Sequence, residues 1–408
     1  GPGEDAALHV ADVGEAVLAK QIAGFPAAHT ALAVHHVLRL GVEFLQPLRQ
    51  CAQRDELRPH VADLVFVRLA HIQVAPRGKY FVTRNQSSLI AFRCGQRALA
   101  DDGLRMVGAH TDSPCLKLKP NAVNETVGYV KFGVEVYGGV LLNPWFDRDL
   151  SLAGRVTVRD KRGALRSVLI DCQRALAIIP SLAIHLDREA NDSRSVNKQT
   201  MLPPVLGLVG DKPFDLHALI KRELKTVDAS LARADVLDFE LSFYGTQAPA
   251  MVGVAEEFIA AARLDNLLSC FTGIQALIDS KAGTAQLMVA SDHEEVGSNS
   301  VAGARGNFLK SVLERWAGDD ESYARCIARS LLVSTDNAHG IHPNFADKHD
   351  QRHGPVLNRG PVVKVNSNQS YATNSESAAL FKHAAALAKV EERHANHYRQ
   401  RLNAVQAR

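Results

Sequence analysis

The chain has 408 residues, of which 46% are hydrophobic and 22% are charged, with 47 basic and 44 acidic side chains. This length allows two domains with buried cores, and the balanced charge argues against a nucleic acid or an anionic membrane surface as the partner. No apolar run approaches the roughly 20 residues that span a bilayer, and no signal region is recognisable. Six scattered cysteines without a CxxC pair are typical of reduced thiols, so we expect a cytoplasmic protein.

Residues 1–77 are rich in Ala, Leu, Val and His, and the spacing of their apolar residues predicts two or three helices. His35 and His36 are adjacent there, and adjacent helical positions point in different directions, so we assign them no metal. From Lys79 the pattern changes to strands, first KYFVTR and SSLIAFR and then LRMVGAH, which ends at a polar cluster.

Residues 120–245 contain β-branched runs separated by turns, such as RVTVRD and RSVLIDC, and helix-forming sequence around 212–235. This pattern predicts an inserted, strand-rich second domain. After residue 250, the segment EEFIAAARLDNLLSCFTGIQALIDS predicts a helix, and AQLMVAS and SLLVST predict short strands. The expected fold class is therefore α/β, a mixed sheet flanked by helices, with the strand-rich domain inserted into it.

Polar residues follow several of these strands. In VGAHTDSP, His110 and Asp112 come after a strand and share one face if the segment is extended. A carboxylate in that position suits the orientation of a metal-binding imidazole, although HTD alone favours a structural histidine. In ARLDNLLSC, Asp265 stands at the head of an apolar helical run, where it is either a ligand or a helix cap.

The segment MVASDHEEVGSNS is more specific. Glu294 and Glu295 are adjacent at the end of an apolar strand, where two carboxylates repel each other unless a cation lies between them. With a metal present, one carboxylate can bind the ion while the other takes a proton from metal-held water, which is the division needed for hydrolysis. A solvated acidic loop is the alternative.

The segment LLVSTDNAHGIHPNF is another apolar strand, ending in Asp336, with His339 and His342 close behind. Nitrogen and oxygen ligands from several strand ends are typical of hydrolytic zinc centres. Three strands end in His, Glu or Asp, and a further Asp lies at the start of a helix. This combination favours one shared metal site over chance occurrence.

Longer segments of the chain resemble the aspartyl aminopeptidases, dizinc enzymes that remove acidic amino-terminal residues from peptides. The similarity runs from about Lys79 to Phe381 and is carried by KYFVTRNQSSLIAF, GAHTDSPCLKLKP, GVEVYGGVLLNPWFDRDLSLAGRV, IPSLAIHLDR, FIAAARLDNLLSC, SDHEEVGS, STDNAHGIHPN and GPVVKVNSNQSYATN. It implies a dizinc exopeptidase-like catalytic domain at 78–119 and 246–381, and it implies that residues 120–245 form a dimerisation or lid domain.

The resemblance also implies a role for each site residue, as follows: His110 and Asp336 bind one Zn²⁺, Asp265 bridges two ions, Glu295 binds the second, Glu294 is the general base, and Asp112 orients His110. It further implies that His185, in SLAIHLDR, reaches into the site of a neighbouring subunit. The expected assembly is a homo-oligomer built from dimers, a dodecamer in this family, and the expected substrates are peptides with amino-terminal Asp or Glu.

Both ends of the chain depart from the resemblance. Residues 1–77 differ from the usual amino-terminal helices, and residues 382–408 replace a segment that carries the last ligand of the second zinc, with a sequence that predicts one Ala-rich helix. Unless His394 or His397 supplies that ligand, we expect the second zinc site to be occupied weakly or not at all and the peptidase activity to be low or absent. The alternatives to an active peptidase are a catalytically impaired homologue acting as an assembly or binding subunit and a related dizinc deacylase.

Overall fold

A computed structural model describes residues 67–68, 74–281, 283–388 and 393–396. They form two compact units, one within Gly1–Ser113 and Pro249–Arg408 and the other at Pro114–Ala248. The sequence placed the inserted domain at 120–245. The helices predicted before residue 67, including His35 and His36, lie outside the described residues, whereas residues 67 and 68 form a short strand.

The secondary-structure elements are numbered in chain order. The helices are α1 Leu99–Asp102, α2 Leu216–Val227, α3 Leu264–Asp279, α4 Phe308–Ala317, α5 Asp320–Ala328 and α6 Ser375–Ala388. The strands are β1 Val67–Arg68, β2 Lys79–Arg84, β3 Ser88–Arg93, β4 Leu104–His110, β5 Cys115–Thr126, β6 Tyr129–Tyr137, β7 Leu150–Arg159, β8 Leu165–Asp171, β9 Val205–Leu208, β10 Asp235–Gly245, β11 Ala250–Val252, β12 Phe258–Ala260, β13 Ala285–Ser291, β14 Leu331–Ser334, β15 Val362–Val365 and β16 Arg393–Asn396. Among the described helices, none has the length and apolar character needed to cross a membrane.

The first unit contains a mixed sheet with the strand order β1-β2-β3-β13-β4-β14. Strands β13, β4 and β14 are parallel to one another, and Ser291 at the end of β13 is in register with His110 at the end of β4. The carboxyl ends of these three strands therefore lie side by side at one edge of the sheet. This is the edge at which open α/β sheets bind their ligands.

Both faces of this sheet are covered by helices because its central strands are apolar on both sides. On β13, Leu287 and Val289 pack with residues of α4 and α5, whereas Met288 and Ala290 pack with residues of α3. The helix α3 approaches closely at Gly273, where a Cβ atom would lie 2.7 Å from the Met288 sulfur. A side chain at this position would require Met288 or α3 to shift.

The second unit is an antiparallel sheet with the strand order β8-β7-β10-β5-β6-β9. Its apolar face is covered by α2, where Leu216, Ile220 and Leu224 are buried in the same cluster as the strand residues. Asp215 caps this helix by accepting a hydrogen bond from the Ala218 N–H at 3.0 Å. The predicted strand-rich architecture of the insertion is confirmed.

Two predicted helices are partly wrong. Residues 258–260 form β12, which pairs antiparallel with β11, and α3 begins only at Leu264. In the tail, α6 extends to Ala388, but residues 393–396 form β16, which pairs in parallel with β15. In both places an available strand edge supplies backbone hydrogen-bond partners, and tertiary pairing overrides the local helical pattern.

Candidate metal centre and active site

The side chains predicted from three strand ends meet at the carboxyl edge of the mixed sheet. His110 is the last residue of β4, Asp336 follows β14 by two residues, and Glu294 and Glu295 lie in a short 3-10 turn after β13. The parallel register of β4, β13 and β14 explains why residues so distant in sequence come together. His110, at the end of β4, lies at the centre of this group of side chains.

His110 is nearly inaccessible to solvent and is surrounded by carboxylates. Its Nε2 lies 3.3 Å from Asp265 Oδ1, 3.6 Å from Asp336 Oδ1 and 3.9 Å from Glu294 Oε2. Its Nδ1 faces the other way, where it lies 3.1 Å from the Asp112 backbone carbonyl and 3.4 Å from Asp112 Oδ1. The Cys270 thiol donates to the His110 backbone carbonyl at 3.1 Å, which ties this strand end to α3.

Asp112 connects His110 to the turn that carries the two glutamates. Its Oδ1 accepts a hydrogen bond from the Glu294 backbone N–H at 3.0 Å, and its Oδ2 accepts one from the Glu295 N–H at 3.1 Å. Asp112 therefore contacts the imidazole ring through its carbonyl and carboxylate and holds the glutamate backbone through its carboxylate. Carboxylates behind a ligating imidazole commonly fix its tautomer and ring orientation.

Asp265 is held at the start of α3 by contacts of its own backbone and of its neighbour. The helix cap is Arg263 and has no side-chain cap hydrogen bond, so Asp265 does not cap the helix. Ser113 Oγ donates to the Asp265 carbonyl at 2.9 Å, and the buried Asn266 donates from Nδ2 to the Thr335 carbonyl at 2.9 Å. These bonds link the residues beside Asp265 to those beside Asp336.

The electrostatics of the group reflect crowded negative charge. Burial raises the pKa of Glu294 and of Glu295 to about 7. Burial lowers the pKa of His110, but hydrogen bonds with Asp112, Asp265 and Asp336 outweigh it and raise the pKa to about 12. For Asp336, burial is outweighed by His110 and Lys364, which hold the pKa of this carboxyl below its ordinary value. Protons thus occupy the positions for which a metal ion competes.

The donor chemistry fits a metal ion. Two sets of three residues have ligand atoms that all lie within 4.8 Å of one another, His110 with Asp265 and Asp336, and His110 with Glu294 and Glu295. One imidazole with two carboxylates is the nitrogen and oxygen set of a catalytic zinc centre, which leaves a position open for water. A cation would also offset the repulsion among the carboxylates.

Comparison with protein families decides the class of enzyme. Residues 61–401 match the family described as aminopeptidase I zinc metalloprotease (M18). The chain belongs to the M18 family of zinc aminopeptidases. It is therefore a metal-dependent hydrolase that acts on peptide bonds, and the predicted enzyme class is confirmed.

Similar proteins agree with the M18 assignment. A probable M18 family aminopeptidase 2 from Ectopseudomonas mendocina is 56% identical over 307 residues, which cover 75% of this chain and 71% of the relative. A solved complex of Ape4 with Nbr1 is 35% identical and covers 90% of this chain and 76% of that one, with a TM-score of 0.79. The S. cerevisiae mApe1 dodecamer shares the fold at 22% identity, with 94% and 85% covered and a TM-score of 0.68.

His185, His339 and His342 of this M18 aminopeptidase do not belong to the ligand sets formed by the described residues. His185 belongs to the unit Pro114–Ala248, where it is exposed and its Nδ1 lies 3.5 Å from Arg188 Nη2. His342 Nδ1 instead accepts from the Asn344 N–H at 3.2 Å. His394 falls in β16, and His397 lies outside the described residues, so a ligand role for either stays a prediction.

One charged residue of the M18 site was not singled out from the sequence. Lys364, on the short strand β15, places its Nζ 3.1 Å from Asp336 Oδ2 and is only 16% exposed. Its Nζ also lies 6.0 Å from the centre of the Tyr371 ring. The available signal was a lysine between valines in VVKV, where a basic side chain interrupts an apolar strand.

Proposed function

We propose that this M18 aminopeptidase removes Asp or Glu from the amino terminus of peptides. The observation that carries the proposal is the ammonium group of Lys364, mostly buried beside Asp336 at the edge of the candidate metal centre. A substrate carboxylate entering a cluster of acidic residues needs a nearby cation, and a low-dielectric surrounding strengthens that attraction. The distance of 3.1 Å from Lys364 Nζ to Asp336 Oδ2 supports a position of this ammonium group beside the proposed ligands.

His110, Asp265 and Asp336 would hold one zinc ion, and Glu295 with Asp265 would hold a second. Zinc bound there would supply an activated water and polarise the scissile carbonyl. Glu294 is the general base: its carboxyl faces His110 Nε2 at 3.9 Å, and its raised pKa of about 7 suits a group that takes a proton and returns it near neutral pH. It takes the proton from the attacking water and delivers it to the departing amine.

His185 acts, in this proposal, in the active site of another copy of the chain. It lies on an exposed loop whose side chains Leu182, Ile184 and Leu186 are exposed by 43% to 75% of their surface. Several apolar side chains on one exposed loop favour a protein interface. The S. cerevisiae relative is a dodecamer, which supports a homo-oligomer here as well.

The test uses the zinc-loaded protein and chromogenic substrates that differ only in their amino-terminal residue: Asp, Glu, Leu and Lys. We expect kcat/KM for Asp and Glu to exceed the values for Leu and Lys by roughly 100-fold or more, because an acidic side chain adds a charge-assisted contact with Lys364 that the Leu and Lys side chains cannot make. Equal rates on Leu and Asp would refute the acidic preference and leave zinc-dependent peptidase activity intact. Glu294→Gln serves as the inactive control.

A further inference from the structure

The loop that carries His185 is held at both ends by two neighbouring residues. We define the His185 loop as residues 181–194 and the 146–147 anchor as Phe146 with Asp147. Phe146 is buried in the core of the unit Pro114–Ala248 and forms a bridge with Ile179, just before the loop. The Asp147 N–H donates to the Ile179 carbonyl at 2.9 Å.

The first end of the His185 loop is fixed by the side chain of Asp147. Its Oδ1 accepts a hydrogen bond from the Ser181 backbone N–H at 2.8 Å. Hydrogen bonds from Ser181, and after them the charge of Arg194, lower the pKa of Asp147, so this carboxylate stays ionised at neutral pH. A charge-assisted hydrogen bond is stronger than a neutral one.

The second end of the loop is fixed by Arg194. Its guanidinium carbon lies 4.0 Å from the centre of the Phe146 ring, within the range of a cation–π contact. The Arg194 Nε is buried and has no hydrogen-bond partner among the described residues, so packing on the ring is the contact that places this group. The same guanidinium lies close enough to Asp147 to influence its pKa.

Between its ends, the loop is held by turns of its own. Leu186 N–H donates to the Ala183 carbonyl at 2.8 Å, and Ser193 N–H donates to the Glu189 carbonyl at 3.0 Å. In the described structure the backbone hydrogen bonds of residues 183–193 run within the loop. The position of His185 relative to the core therefore depends on the contacts at the two ends.

We propose that Arg194 is a positioning residue of the reaction, which acts through the 146–147 anchor to place His185. This inference rests on the proposed role of His185. Loss of the contact at one end increases the number of conformations open to the loop. The population of the conformation that places His185 for the reaction then falls. Displacement of a positioned group by about 1 Å can cost on the order of 100-fold in rate.

The first experiment is a double-mutant cycle on the full-length zinc-loaded protein. It measures kcat/KM with an amino-terminal Asp substrate for Arg194→Ala, His185→Ala and the double variant, with Lys198→Ala as a control on the same exposed stretch. We expect Arg194→Ala to lower kcat/KM about tenfold, on the scale of a lost cation–π contact, and to have no further effect once His185 is absent. Losses that multiply in the double variant would overturn the inference.

The second experiment measures how accessible the loop is to a protease and does not depend on activity. Limited trypsin digestion with mass spectrometry follows cleavage after Arg188, in the middle of the loop. Cleavage should be faster in Arg194→Ala than in the wild type, intermediate in Arg194→Lys, which keeps the charge but loses the planar face, and unchanged in Lys198→Ala. Equal cleavage rates in wild type and Arg194→Ala would show that Arg194 does not hold the loop.

The two experiments separate this inference from the proposed function. If His185→Ala keeps full activity, the proposed role of His185 fails and the positioning role of Arg194 fails with it, while the digestion still decides whether the anchor exists. If Arg194→Ala fails to fold in a thermal melt, Asp147→Ala replaces it, because it removes the acceptor of the Ser181 N–H and so releases the opposite end of the loop. The same faster cleavage and the same absence of a further effect in the His185→Ala background are expected, and their absence overturns the inference.

Discussion

The carboxylate of Asp112 lies behind the His110 ring, with its Oδ1 3.4 Å from Nδ1, on the side opposite the Nε2 that faces Asp265. The same carboxylate accepts the backbone N–H groups of Glu294 and Glu295. Through these contacts, Asp112 is expected to fix the position of the proposed zinc ligand relative to the proposed general base.

Asp112→Asn tests this arrangement. The amide keeps one carbonyl oxygen but loses the second acceptor and the charge, so either the Glu295 or the Glu294 N–H loses its partner. We expect zinc affinity to fall about 10- to 100-fold, the usual effect of losing a carboxylate behind a ligand histidine, with a matching loss of activity at limiting zinc. Zinc titration monitored by calorimetry measures the affinity, and an unchanged value would contradict the shared role.

Glu294 and Glu295 form a matched pair for a second prediction. Glu294→Gln removes the proton acceptor, so we expect kcat to fall by about two to four orders of magnitude while bound zinc is retained. Glu295→Gln removes a ligand charge, so zinc should be lost on dialysis and activity should recover partly when zinc is added in excess. Metal analysis and turnover are measured on the same samples. The assignment is reversed if Glu294→Gln loses the metal and Glu295→Gln keeps it.

Lys364 is predicted to set the preference for acidic substrates. Lys364→Met keeps the length of the side chain and removes the charge, so kcat/KM for an amino-terminal Asp substrate should fall about 100-fold while the value for Leu stays within a few-fold. Bound zinc must be measured as well, because Lys364 contacts Asp336. Lys161→Met, at an exposed position of the other unit, is the control. A parallel loss on both substrates would assign Lys364 to the metal site instead of to specificity.

The residues at the strand ends could be predicted from the sequence, whereas the contacts that Asp112 and Lys364 make with them could not. His110 and Asp336 stand out because polar residues follow apolar runs, and parallel strands bring such ends together. The hydrogen bonds of Asp112 join it to backbone groups 182 and 183 residues away, and any residue type offers those groups. Lys364 is 28 residues from Asp336, on a separate short strand, and the interruption of VVKV by a lysine does not indicate which residue the lysine contacts.

The carboxyl-terminal segment shows a different limit of predicting structure from sequence. Alanine-rich sequence predicts a helix up to Ala388 correctly, because helix propensity is a local property. The strand β16 arises from pairing with β15, and strand pairing depends on a partner elsewhere in the chain. The same reason explains why residues 258–260 pair with β11 although their sequence continues the helical pattern of α3.

A pH prediction follows for the zinc-free protein. Burial raises the pKa of Glu294 and Glu295 from 4.5 to about 7, so between these values the native chain holds protons that the unfolded chain has released. The free energy of unfolding contributed by these carboxyls is fully present below pH 4.5 and is lost as the pH rises through about 7. The melting temperature after EDTA treatment should therefore fall, from pH 5 to pH 8, by several degrees more in the wild type than in the Glu294→Gln, Glu295→Gln double variant. Parallel pH profiles would show that these carboxyls are not buried in the way described.

The last prediction concerns the number of zinc ions. The two ligand sets share His110. The ring can bind only one ion, through Nε2, because Nδ1 is turned toward Asp112. The set with Asp265 and Asp336 is nearer to Nε2, at 3.3 Å and 3.6 Å, than Glu294, at 3.9 Å. A second ion would then be left with carboxylates alone among these residues, a set that suits magnesium or manganese better than zinc.

We therefore predict one tightly bound zinc per chain and a second that binds weakly and exchanges with manganese. Zinc titration after exhaustive dialysis, with elemental analysis at each step, measures both. Two equally tight zinc ions with full turnover would show that a further nitrogen ligand completes the second site.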